Sequence, residues 1–196
     1  MYYAATFMEA QLCAGEEAAV VGAGNSAGQA AVYLAQSCPR VHLVVRSSGL
    51  ADCMSRYLIG RVESHPNIAV HIRTEIVTLD GNGHLERIGL RDNTGDTTMH
   101  PIRHIFTMMG AVPNTKWLEG VLVLDEKGFI KTGSELSPQV LANAAWSVAR
   151  APHPLETSRP GVFAVGDVRS GSLKRVASAA GDGSIAIAAV HRLVRE

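Results

Sequence analysis

Six residues, Gly22-Ala23-Gly24-Asn25-Ser26-Ala27, constrain this chain more than any others, because of what stands on either side of them. Glu17-Ala18-Ala19-Val20-Val21 reads as a short buried strand that ends at Gly22. Asn25 to Gln36, alanine-rich with Val32, Tyr33 and Leu34, reads as a helix against a sheet, with Pro39 ending it. In a strand–turn–helix of this spacing the first glycine allows the tight turn, and the second lets backbone approach a ligand without a Cβ in the way. The alanine keeps the helix close to the sheet. Free N–H groups and the positive end of the helix dipole then face a diphosphate. The motif predicts a Rossmann-like α/β domain in which Gly22, Gly24, Asn25, Ser26 and Ala27 hold a dinucleotide.

The neighbouring strand selects the nucleotide. Val41-His42-Leu43-Val44-Val45 reads as a second strand, and strands joined through a helix of this length run parallel. An NAD site carries an acid about twenty residues past the glycines, for the ribose hydroxyls. Here the strand ends in Arg46-Ser47-Ser48. A carboxylate would repel a 2′-phosphate, whereas Arg46 can pair with it and Ser47 can donate a hydrogen bond. NADPH is the expected coenzyme. Arg56 and Arg61 are placed to assist, or simply form the wet face of a helix.

Further along, residues 52 to 64 read as a helix and Ile68 to Ile72 as a strand. Ile76–Leu79 and Leu85–Leu90 are separated by the hairpin signal Asp80-Gly81-Asn82-Gly83, and His104 to Met109 reads as a returning central strand. These elements give residues 1–109 a parallel sheet with helices plus an antiparallel meander. After Gly110 the character changes. Ser134 to Pro160 holds four prolines without a period and reads as a loop with a short helix near Val140 to Ala145. Gly161 to Gly166 reads as a strand, and Ser178 to Arg195 as a terminal helix. Trp117 and Trp146 are expected to be packing residues, with Trp146 near Arg150 and Pro152 as an alternative cover for a bound ring.

Several function classes fall away. Lys and Arg total 18 against 18 Asp and Glu, a balance that does not point to a strongly basic face for nucleic acid and leaves only a local patch open, and the apolar runs are too short to span a membrane. Three cysteines, Cys13, Cys38 and Cys53, form no CxxC pair, which reads as a reduced, cytoplasmic protein with thiols used as small core residues. His100 and His104 are four apart, but Pro101 between them disfavours one helical face, so no metal site is assigned. Gly24-Asn25-Ser26-Ala27-Gly28 matches a hydrolase nucleophile elbow in spacing, yet the serine lies inside the dinucleotide loop.

With these residues in place, the chain resembles the low-molecular-weight thioredoxin reductases. Val20 to Ala27 is similar to their nicotinamide-nucleotide loop, and Val41 to Arg46 to their 2′-phosphate strand. Gly110-Ala111-Val112-Pro113-Asn114-Thr115 is similar to their crossover segment, and Gly161-Val162-Phe163-Ala164-Val165-Gly166-Asp167-Val168 to their carboxy-terminal flavin motif. The resemblance implies that residues 110–196 are the C-terminal segment of a split FAD-binding domain. It places Gly166 and Asp167 at the flavin, with Asp167 accepting from the ribityl hydroxyls. It also places Lys174 and Arg175 near the flavin ring, where a cation favours the reduced form. It implies FAD beside NADPH, hydride transfer between them with no catalytic acid or base, a small redox protein of ferredoxin or flavodoxin type as acceptor, and a homodimer for the full-length form.

Two departures shape the expectation. Where the family's thioredoxin-reducing members carry Cys-Ala-Thr-Cys, this chain reads Ala4-Ala5-Thr6-Phe7, so no built-in dithiol can relay electrons. Only one glycine loop is present, which reads as a fragment lacking the amino-terminal FAD-binding half. A non-catalytic nicotinamide-nucleotide-binding module with an incomplete flavin site is therefore the second reading. Residues 110 to 196 are then expected to expose an apolar face.

Overall fold

The computed structural model describes residues 1–195. The chain divides into two units, Met1–Gly110 and Ala111–Glu196.

The first unit is built on a parallel sheet. A short helix, α1 (Phe7–Leu12), precedes β1 (Ala18–Val21), α2 (Asn25–Leu34), β2 (Val41–Val45), α3 (Arg56–Ser64) and β3 (Ile68–Ile72). An antiparallel meander follows, β4 (Glu75–Asp80), β5 (Arg87–Arg91) and β6 (Thr97–His100). The chain then returns as β7 (His104–Thr107), giving the sheet order β3-β2-β1-β7. β7 lies at the end of this order, beside β1, and not in the centre as the apolar run suggested. Tyr2 adds a single parallel bridge to Phe106 on its outer side.

Alternation along the strands divides two cores. Ala18, Val20, Val41, Leu43 and Val45 turn toward the layer of α2 and α3, with Ala27, Ala31, Leu34, Leu58 and Val62. Ala19 and Val44 turn the other way and pack with Ile88, Leu90, Ile102 and Ile105, beneath the meander. Period-two side chains on a sheet covered on both faces explain why β1 and β2 are apolar throughout. Each fully buried valine, leucine or isoleucine there contributes about 1.5–3 kcal/mol. The meander carries exposed ion pairs, Arg91–Glu75 at 2.7 Å and Arg87–Asp80, which contribute little beside that burial.

The helix expected from residue 52 begins only at Arg56. Residues 50 to 54 form a turn that buries Leu50 and Met54, with Ser55 as the N-cap of α3. The structure adds α1 and β6. The polar run Thr97-Thr98-Met99-His100 has no apolar alternation to betray it, and it is a strand because β5 offers an open edge.

The second unit is mostly irregular. It holds α4 (Pro138–Asn143), a 3-10 turn at Gly166–Val168 and the long α5 (Val176–Leu193). Gly161 to Gly166 is not a strand. Its one ladder contact is an isolated bridge between Phe163 and Glu156, because no neighbouring strand among the described residues pairs with it. A small core joins Leu118, Ile130 and Ala164. Trp117 is 73% exposed, its indole N–H donating to the Asn114 carbonyl at 3.0 Å, so it packs in no core. No helix among the described residues is long and apolar enough to cross a membrane.

Candidate functional site

The glycine loop adopts the geometry its sequence implies. Gly22 ends β1 with φ +144, and a Cβ there would stand 2.5 Å from the Met108 carbonyl oxygen and 3.2 Å from the Ala27 Cβ. Only glycine fits that turn. Gly24 is the N-cap of α2 in extended conformation, so the first turn of the helix, Asn25, Ser26 and Ala27, points its N–H groups out of the carboxy end of the sheet. Ala27 is fully buried and acts by packing, as the close contact with Gly22 shows, while Ser26 and Asn25 are exposed.

Asn25 has a second task. Its side-chain oxygen accepts the Ser55 backbone N–H at 2.8 Å, tying the α2 start to the α3 start. Gly28, which the sequence reading weighed only as part of a nucleophile elbow, is where α3 comes closest. A Cβ there would lie 2.7 Å from Leu58 Cδ2 and 2.8 Å from the Met54 sulfur. The glycine thus lets the second helix seat against the first, and Ser26 beside it is an ordinary first-turn residue.

Register decides where the cations stand. β1 and β2 pair with Val21 opposite Val44, and β2 and β3 with Val45 opposite Ile72. With adjacent strands about 4.8 Å apart, Arg46 follows β2 at the same sheet edge as the Gly22–Gly24 turn. Its guanidinium is exposed and makes no hydrogen bond or ion pair with the described residues. Ser47 Oγ donates to the Gly49 carbonyl at 2.9 Å, so as seated it offers lone pairs to a ligand and not its proton.

One residue of this edge was not anticipated. Arg73 follows β3, is exposed, has left-handed backbone (φ 50), and its N–H donates to the Ser47 carbonyl at 3.0 Å. That bond sets Arg73 beside the Arg46–Ser47 turn. The sequence signals only that a residue after the third parallel strand lies at the carboxy edge; the β2–β3 register decides that it meets the Arg46–Ser47 turn. Arg56 and Arg61 are both exposed, and Arg61 lies 5.9 Å over the Tyr57 ring on the outside of α3.

In the second unit the 3-10 turn carries Gly166 and Asp167. Gly166 is buried with φ +70, and its N–H donates to the Asp182 carboxylate on α5 at 3.2 Å. Asp167 is exposed, and its carboxylate has no partner among the described residues. Lys174 is occupied, with its ammonium 2.7 Å from the Asp167 carbonyl oxygen and 4.0 Å from the Phe129 ring centroid. Arg175 is the N-cap of α5, exposed, with Nη1 on the Lys174 carbonyl. The motif therefore gathers Gly166, Asp167, Lys174 and Arg175 at the start of one helix, with Lys174 partly spent on holding the turn.

Two clusters lie outside these motifs. Glu156, fully buried, accepts Arg150 Nη1 and Nη2 at 2.6 and 2.8 Å and the backbone N–H groups of His153 and Gly161 at 2.8 and 2.7 Å. Burial alone would raise its pKa, but the Arg150 guanidinium and the two N–H groups outweigh it and hold the carboxyl at about 2. Trp146 joins the cluster, donating to the Arg150 carbonyl at 2.8 Å and lying under its guanidinium. In the first unit His42 on β2 contacts His71 at 3.0 Å and Glu17 at 3.0 Å, with His100 edge-on to both rings. No group among the described residues has the arrangement to hold a metal.

A parallel sheet whose first strand runs through such a glycine turn into a helix defines an α/β fold of the Rossmann type. The chain belongs to the pyridine nucleotide-disulphide oxidoreductase family, whose model matches residues 4–183. It is 34% identical over 181 residues to NADPH-dependent thioredoxin reductase 3 of Arabidopsis thaliana, covering 91% of this chain and 30% of that protein. It is 30% identical over 181 residues to the thioredoxin reductase of Borreliella burgdorferi, covering 91% of this chain and 48% of that one. The chain thus spans about half the length of such relatives, or less. The crystal structure of T. acidophilum thioredoxin reductase matches with a TM-score of 0.76 at 24% identity, over 100% of this chain and 58% of that one, a likeness of fold.

Proposed function

We propose that the first unit binds NADPH, and that the chain carries the coenzyme domain and the carboxy-terminal flavin segment of an NADPH-dependent FAD oxidoreductase of the thioredoxin reductase type. The observation that supports it most is the pairing of a Cβ-free diphosphate cradle at Gly22–Gly24 with an unpartnered guanidinium at Arg46 on the same sheet edge. The α2 N-terminus, with Asn25 and Ser26 exposed on it, receives the diphosphate. Arg46, with Arg73 beside it, receives the 2′-phosphate as an ion pair, and Ser47 orients its turn.

The same fit holds for FAD in the second unit, where the unpartnered Asp167 carboxylate, beside Gly166, is an acceptor for ribityl hydroxyls. Arg175 is the cation left to face the flavin ring. Bound, NADPH supplies a hydride and FAD accepts it. The chain's own part is to bind each coenzyme on its own unit, which needs no protein acid or base. Ala4-Ala5-Thr6-Phe7 offers no thiol pair, so electrons leave to an external acceptor, and a small ferredoxin- or flavodoxin-like protein fits that requirement.

Calorimetric titration of the purified chain with NADPH and NADH tests the coenzyme reading. NADPH is expected to bind at least about tenfold more tightly, a difference of about 1.4 kcal/mol. Arg46→Ala should close most of that gap, with NADH affinity unchanged, and Arg73→Ala should close part of it. Absence of NADPH binding would overturn the reading. A yellow preparation that oxidises NADPH supports the enzyme, whereas a colourless one that still binds NADPH supports a nucleotide-binding module alone.

A further inference from the structure

Two thiols that the sequence keeps 25 residues apart meet in the first unit. Cys13 is the C-cap of α1, Cys38 stands in the turn from α2 to β2, and their sulfur atoms are 3.6 Å apart. Both are buried, at 0% and 2% exposure, in one cluster with Ala18, Leu34 and Val41. The two segments are also tied by backbone. The Gly15 N–H donates to the Ser37 carbonyl at 3.0 Å, and the Ala18 N–H to the Arg40 carbonyl at 3.1 Å. The third thiol, Cys53, is exposed and has neither neighbour.

We propose that Cys13 and Cys38 form a latent disulfide that closes when the chain meets a low-molecular-weight disulfide such as oxidised glutathione, stapling α1 to the α2–β2 turn. One Cys thiolate attacks a glutathione sulfur and expels one glutathione thiolate, leaving a mixed disulfide. The second Cys thiolate then attacks the protein sulfur of that bond and expels the other glutathione. Two protein thiols lose two protons and two electrons, and oxidised glutathione becomes two reduced molecules. The sulfur atoms close from 3.6 Å to about 2.05 Å.

Position argues for a staple and against an electron relay. Cys13 and Cys38 precede β1 and β2, at the amino ends of the parallel strands, whereas Gly22 and Arg46 follow the same strands at their carboxy ends. The pair lies across the sheet from the coenzyme edge. What it would hold is weakly held otherwise: in α1 only Ala10 is buried, while Phe7, Met8 and Leu12 are 66%, 72% and 65% exposed. Burial raises both thiols, Cys13 to about 12, so the pair is inert while α1 is seated and reacts when the helix opens.

The test uses the full chain with Cys53→Ser, which removes the exposed thiol. The protein is equilibrated in glutathione buffers from fully reduced to fully oxidised, acid-quenched, alkylated in denaturant and mapped by mass spectrometry. The expected product is a Cys13–Cys38 cross-linked peptide, lighter by two hydrogens than its thiol parts, with Tm raised by about 5 °C or more and reversed by dithiothreitol. C13S/C53S and C38S/C53S should show no such rise. Full alkylation of both thiols in the most oxidising buffer, or recovery of mixed glutathione disulfides alone, would overturn the proposal. The peptide map of the C53S protein decides the matter even where a second serine prevents folding.

Discussion

The two units solve the problem of burial in opposite ways. In Met1–Gly110 a sheet covered on both faces supplies its own core, so side chains as small as Ala18 and Ala19 are fully buried. In Ala111–Glu196 the buried apolar residues among those described are Leu118, Ile130, Leu136, Leu155, Ala164 and Ala186. The 18-residue α5 buries only Ala186, while Val176, Ile185 and Ile187 are 89%, 52% and 62% exposed. Where apolar layers are scarce, polar bonding takes over the work of fixing the chain, and Glu156 with its four donors is the clearest instance. One unit is held by area and the other by a charge.

That contrast can be broken at its strongest point first. Glu156→Ala removes the carboxylate that accepts both Arg150 nitrogens and the His153 and Gly161 N–H groups, and is expected to cost about 3 kcal/mol. Hydrogen exchange should then rise through residues 133–170 and stay unchanged in the parallel sheet. Equal loosening of both units would show that they are not held separately. Next in size, Gly22→Val forces a side chain into left-handed backbone against the Met108 carbonyl, at a cost of about 2 kcal/mol. It should abolish NADPH binding while leaving exchange in the second unit untouched.

Acid sharpens the comparison from the side of the first unit. Burial above all, then the charges of His42, His100 and Arg40, pushes His71 from 6.5 down to about 4. As pH falls below 6.5 the unfolded chain takes up a proton that the folded one refuses, so stability is full above that value and drains toward pH 4. His71→Asn should flatten the slope of stability against pH in that window, read from urea midpoints. Glu156 acts lower. With its carboxyl depressed to about 2, its contribution is complete above 4.5 and lost as pH falls through 2, so the first unit should loosen at higher pH than the second.

The smallest effect belongs to α5. Val176→Ser with Ile187→Ser should leave stability within about 0.5 kcal/mol, since neither side chain is buried, yet it should reduce dye binding to exposed apolar surface and self-association. A large loss of stability would mean that this helix face is covered in solution.

Much of the first unit was legible because its information is local. The Val41–Val45 and Ile68–Ile72 strands and the helix opening at Asn25 follow from apolar runs bounded by Gly and Pro. Boundaries and polar elements were not: β6 is a strand by virtue of β5's open edge, and α3 starts late because Leu50 and Met54 are worth more buried in a turn. In the second unit Gly161–Gly166 has the composition of a strand and lacks a partner. Propensity describes a residue's fitness for a sheet, and pairing needs a second strand.

By itself the sequence determined the glycine turn, the helix that follows it and the cation at the tip of the next strand, because each depends on neighbours within a few residues. Tertiary structure alone decided the rest. It put Arg73 beside Arg46 through the β2–β3 register, and seated α3 on Gly28. It brought Cys13 to Cys38, and turned a glutamate in a proline-rich stretch into the fixed point of its unit. The physical reason is the same in each case: contact between segments is set by how strands pair and layers pack, and those distances are not written in the spacing of residues along the chain.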